Sequence, residues 1–149
     1  MDIIVTTPKK EMASAAREAA DCIRAGGGEY FRWFPMSCAP SVKPGDRMYY
    51  VEDGFVRGFA VVSRCGLSLA NQCATTGRVW PPGYYVVMDA TSWRWIRPIP
   101  MRGFQGLRYV KWGGGDDPRN NIALGTGGFT GPIEIVGGWR DPKPEVSRA

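Results

Sequence analysis

After Gly26-Gly27-Gly28 the chain changes texture: short β-type runs, each cut off by glycine, proline or an Asp-Gly pair, replace the helical spacing before them. This punctuation is the strongest constraint on the fold. A chain interrupted so often builds no long helix and must bury its apolar residues by pairing strands. Twenty glycines and twelve prolines in 149 residues supply the breaks, a content short of low complexity. The runs are Glu29–Phe34, 47–51 behind the turn Lys43-Pro44-Gly45-Asp46, and 55–62 returning from Asp53-Gly54. Further runs follow at 84–89, after Pro81-Pro82-Gly83, then at 93–99, 107–111 and 133–136.

Ahead of the glycines, Ile3-Ile4-Val5-Thr6 reads as an opening strand, with Thr7 as helix N-cap and Pro8 at the first helical position. Met12, Ala15, Ala16, Ala19 and Ile23 then recur at three- and four-residue spacing, the stripe of one amphipathic helix. Stretches 63–79 and 113–131 read as irregular, and the polar 141–149 as a flexible C-terminal tail. The expectation is an α+β, mainly β fold in a single domain, 1–140. It would be a small, partly open β-barrel of about six short strands with an N-terminal helix packed on it.

Histidine is absent, which removes Ser-His, Cys-His and His-metal chemistry. Cys22, Cys38, Cys65 and Cys73 form no CxxC pair and read as free thiols of a reducing compartment, so no metal and no cofactor is expected. Asp116-Asp117 could bind a divalent cation, though two adjacent carboxylates are a weak set, and 113–131 lacks the Gly-Lys-Ser/Thr ending of a phosphate-binding loop. No apolar run approaches the roughly 18–20 residues that cross a bilayer, and Asp2 stands where a signal peptide carries bases. A soluble, cytoplasmic protein without a membrane partner is expected.

The net charge of +5 is unevenly placed. Residues 54–115 hold eight bases against one acid, Asp89, while the segments on either side are slightly acidic. Seven of the eight are arginines, whose planar forks suit phosphate and base edges. Aromatic residues lie among them. Trp33 stands between Arg32 and Phe34-Pro35, and strand alternation puts Trp93, Trp95 and Arg97 on one face with Arg94 and Ile96 on the other. An aromatic face beside a guanidinium is what base stacking with phosphate pairing requires. Arg57, beside Gly58, lies three residues past the hairpin turn, and Arg102, Arg108 and Lys111 follow downstream.

Three stretches carry a family resemblance: Arg32-Trp33-Phe34-Pro35; Val42-Lys43-Pro44-Gly45-Asp46-Arg47-Met48-Tyr49-Tyr50-Val51; and Gly54-Phe55-Val56-Arg57-Gly58-Phe59-Ala60-Val61-Val62. With Arg97-Pro98-Ile99-Pro100 and Gly106-Leu107-Arg108-Tyr109 behind them, the chain resembles the PUA-like superfamily over about residues 28–136, in particular its EVE and ASCH domains. The resemblance implies a pseudo-barrel with a cleft for a nucleobase, often a modified one. Arg32, Trp33, Ser37 and Arg57 would line that cleft, and Trp93, Trp95, Arg97, Arg102 and Lys111 would extend an aromatic, basic surface. The expected function is binding of nucleic acid, DNA or RNA, or of a nucleoside-like ligand. The Gly-x-Lys-x-x-Glu-x-Arg type of run found in ASCH members is missing. A hydrolase of modified nucleosides using Lys43 and Glu29, and a protein-interaction module, are the alternatives.

Overall fold

A computed structural model of the chain describes residues 1–7, 15–68, 71–72, 77, 79–80, 82–110 and 133–145. Strand β1 (Ile3–Thr6) opens it, and helix α1 (Ala15–Arg24) follows, laying Ala19, Cys22 and Ile23 on the sheet. The expected Pro8 and Met12 positions lie outside the described residues. Past the helix, the Gly27 N–H donates back to the Cys22 carbonyl at 3.0 Å, turning the chain into β2 (Glu29–Phe34). A short 3-10 turn, Met36–Cys38, separates β2 from β3 (Arg47–Glu52).

Asp53 and Gly54 both take positive φ, 53° and 84°, the two-residue turn whose twist matches that of the paired strands. It feeds β4 (Phe55–Ser68), which runs 14 residues, past the expected end at 62. Short strands β5 (Asn71–Gln72) and β6 (Val79–Trp80) then pair with each other, so much of 63–79, read as irregular, is strand. Strand β7 (Gly83–Pro100) joins the two expected runs 84–89 and 93–99 into 18 residues. Register shifts at Val56/Gly58, Phe59/Val61 and Val62/Arg64 explain the difference. Each bulge changes the phase of the alternation without ending the pairing, so one strand reads as two. Strands β8 (Leu107–Tyr109) and β9 (Ile135–Gly138) complete the set.

The order is β2-β7-β4-β3-β1-β8, with β9 pairing the second half of β7. Strands β1 and β3 are parallel, with α1 on the crossover between them; the other pairs are antiparallel. The result is one mixed, open sheet of seven strands, not closed, with a helix on one face: the expected α+β, mainly β class, with β4 and β7 far longer than the short strands expected. Two strands as long as β4 and β7 make a wide ribbon, and among the described residues β2 and β8 stand at the two ends of the strand order.

Both faces are buried over the centre. Toward α1 lie Ile3, Val5, Met48, Tyr50, Val62, Val86, Met88, Trp93 and Trp95; on the other face lie Ile4, Tyr49, Val51, Val56, Phe59, Ile96, Met101 and Val110. This is why Ile3-Ile4-Val5 is apolar without alternation: β1 is covered on both sides. Gly58 is fixed by packing. A Cβ there would stand 2.5 Å from the Trp93 ring and 2.4 Å from the Arg94 carbonyl oxygen.

Residues 141–145, expected to begin a flexible tail, are tied to the sheet. The Trp95 indole N–H donates to the Asp141 carbonyl at 3.1 Å, Arg57 donates to the Pro144 carbonyl, and Lys143 Nζ pairs with Glu52 at 3.3 Å. Residues 146–149 lie outside the described residues. Among the described residues no helix is long and apolar enough to cross a membrane.

Candidate nucleobase site

Strand register decides which of the sequence-derived residues can act together. Alternation along β2 places Tyr30, Arg32 and Phe34 toward α1 and Glu29, Phe31 and Trp33 on the opposite face. Arg32 donates to the Thr6 carbonyl at 3.4 Å, so it and Trp33 do not frame one cleft. Arg57 is the bulged residue between Val56 and Gly58, which pair with Ile99 and Trp95, whereas Trp33 pairs with Tyr85. Ten residues of β7 separate Tyr85 from Trp95, roughly 30 Å at strand rise, too far for a shared pocket. Ser37 is exposed on the 3-10 turn, its hydroxyl 3.8 Å from Cys38 Sγ. The four residues expected to line one cleft are therefore dispersed.

The second expected surface is not formed either. Trp93 and Trp95 do share a face, but it is the one under α1. They are 0% and 3% exposed and meet edge to face, centroids 5.2 Å apart. A buried indole offers no platform to a base. Arg97 is exposed and pairs with Glu134 at 3.4 Å, and Arg102 is exposed beyond β7. Lys111 lies outside the described residues, as do Asp116-Asp117 and the 113–131 stretch. Arg57 is buried; desolvation pulls its pKa down while Glu52 and Asp53 push it up, and its Nε has no partner. It holds the C-terminal strap and is not available to a ligand.

What register does assemble is a patch on the face opposite α1. Phe31, Val87 and Arg64 form one row across β2, β7 and β4, and Trp33, Tyr85 and Gly66 form the next. A concavity of about 290 Å³, lined by Phe31, Val87, Arg64, Tyr85 and Gly66 of these rows and not by Trp33, is near the ~300 Å³ lower bound of small-ligand sites. Phe31 and Tyr85 meet edge to face at 5.2 Å beside it, and burial pushes the Tyr85 phenol pKa up, keeping it neutral. Among the described residues nothing stands within 4 Å of where a Gly66 Cβ would be. Leu67, 67% exposed, also borders it.

At the rim, Glu29 Oε2 accepts from the Ser63 hydroxyl at 2.7 Å and lies 3.6 Å from Arg64 Nε. Among the described residues Glu29 pairs with Ser63 and Arg64, and the Lys43 backbone N–H donates to Asp46; no ion pair joins Glu29 to Lys43. Trp33 lies over β7: a Cβ on Gly83 would fall 2.1 Å from its Nε1, so only glycine there leaves room for the indole. Phe31, Arg64 and Tyr85 were not singled out from sequence as site residues. The alternation Glu29, Phe31, Trp33 carried the signal for the first, while Arg64 and Tyr85 needed the β4–β7 register.

Among the described residues no group of three or more His, Cys, Asp or Glu side chains is placed to hold a metal ion. Cys22, Cys38 and Cys65 are free thiols, and Cys73 lies outside the described residues. Compared with protein-family models, with curated proteins and with solved structures, the chain matches none of them.

Proposed function

We propose that the protein binds nucleic acid by taking one unpaired base onto the β2–β7–β4 face. The observation that carries this reading is the row pattern itself. Trp33 stands in the row next to Phe31 with its indole over Gly83, and Phe31 and Tyr85 wall a cavity with a guanidinium and a carboxylate at its rim. Aromatic rings supply stacking, and Arg64 and Glu29 supply the donor and acceptor that read a base edge. The net charge of +5 supports a polyanionic partner over a neutral one. A base buried in so shallow a cavity must first leave its stack, which favours single-stranded substrate.

The test is fluorescence anisotropy with labelled single-stranded DNA and RNA at two salt concentrations, comparing the native chain with Trp33→Ala. Affinity is expected to fall with salt, and Trp33→Ala to weaken binding about tenfold or more, the loss of one stacked base. Absence of binding, or binding indifferent to both salt and Trp33, would overturn the reading.

A further inference from the structure

We infer that this cavity selects guanine. The inference rests on the nucleic-acid reading above and adds the identity of the base. A carboxylate at the rim repels phosphate, so the group entering the cavity is uncharged and brings N–H donors. Glu29 Oε2 takes the Ser63 hydroxyl at 2.7 Å, and Oε1 takes no partner among the described residues. Arg64 approaches the same oxygen through Nε at 3.6 Å, and its two terminal nitrogens have no partner among the described residues. With its side chain 70% exposed against 41% for Glu29, the rim presents donors from arginine directly beside acceptors from glutamate.

The four bases differ in what they offer to that order. The Watson–Crick edge of guanine runs acceptor, donor, donor: O6 toward the guanidinium, N1–H and the N2 amine toward the carboxylate. Adenine presents a donor and then a bare ring nitrogen, which points a lone pair at the carboxylate. Cytosine offers one donor followed by two acceptors, with the same clash. Uracil and thymine match the first two positions and fail at O2, an acceptor facing an acceptor. Only guanine leaves no group opposed, and a site whose polar groups are left unpaired rejects the wrong ligand strongly. Phe31, Val87 and Leu67 provide the apolar surface against which a flat purine ring is held.

The experiment uses oligothymidylate strands of about 12 nucleotides, a length within one domain's footprint. The strands carry a single central guanine, inosine, adenine or no substitution, with oligouridylate counterparts in RNA. The guanine strand is expected to bind about tenfold tighter than the adenine or unsubstituted strand, with inosine, which lacks the N2 amine, in between. Glu29→Gln and Arg64→Gln, each checked for native circular dichroism, should bring the ratio of guanine-strand to adenine-strand affinity down to about one. Equal affinity for guanine and adenine strands, or a preference that survives in both variants, would overturn guanine selection and leave nucleic-acid binding standing. Failure to bind any strand would overturn both.

Discussion

Gly58 and Gly83 do the same work at two places: each leaves room for an indole to cross its strand. At Gly58 the indole is Trp93, which is fully buried. Gly58→Ala is therefore expected to destabilise the fold by about 1–3 kcal/mol, the range for overpacking, with a lowered urea midpoint at unchanged m-value as the check. At Gly83 the indole is Trp33, on the proposed binding face. Gly83→Ala should displace Trp33 and weaken oligonucleotide binding while costing less stability than Gly58→Ala. The same pair shows what can be read locally. Alternation in the sequence already separates Arg32 from Trp33 and joins Trp93 to Trp95. It does not say which face meets the helix, because that depends on contacts between residues far apart in the chain.

Tyr84 and Tyr85 point to opposite faces, and both phenols resist ionisation. Tyr84 is pushed up to about 12 by its contact with the Cys65 thiol and by burial, and Tyr85 is raised by burial. For an acid raised in the folded state the neutral form is favoured by folding. The stabilisation is complete below the unfolded value near 10 and drains away as pH rises from there through about 12. Ultraviolet titration should show at least two tyrosines ionising late, with a loss of stability that begins above pH ~10.

Among the elements, β7 decides the most. Its first half pairs with β2 and builds the candidate site; its second half pairs with β9 and carries Trp93 and Trp95 into the core. The strand at each of these places was legible from its apolar runs, and so was α1. Their union was not, because residues 90–93 bulge and break the period-two pattern that identifies a strand. The C-terminal strap escaped for a similar reason. Its sequence is polar and proline-rich, yet it is held through backbone carbonyls, which every residue has. Arg57→Met keeps an unbranched apolar stem, removes the guanidinium with its unpartnered Nε and leaves Glu52 its Lys143 partner. The expected outcome is stability within about 1 kcal/mol of native, since an apolar side chain often replaces a buried charge without loss. The strap should loosen, and trypsin should cut after the exposed Arg140 faster than in the native chain.

Over the whole molecule, the concentrated charge of residues 54–115 is spread out by folding. Arg57 is buried, Arg94 caps the Thr91 and Trp93 carbonyls, Arg97 meets Glu134, and Arg108 lies over the Phe104 ring at 4.2 Å. A continuous basic track, as the linear charge pattern suggested, is not what these positions make. Binding should accordingly show a shallow salt dependence, each neutralised phosphate contributing about 0.7 to the log–log slope for a single strand. Trp33→Ala should lower affinity without changing that slope, because stacking releases no counterions.

Strand β1 lies between β3, its parallel partner, and β8, so Ile3-Ile4-Val5 touches residues 48–50 on one side and 107–109 on the other. The earliest strand in the chain is thus completed by one of the latest. Closing so long a loop slows folding, and until residue 109 is available one edge of this mostly apolar strand is open to other chains. Any fragment ending before residue 107 should aggregate where the full chain does not. During synthesis the first seven residues are the ones most in need of protection.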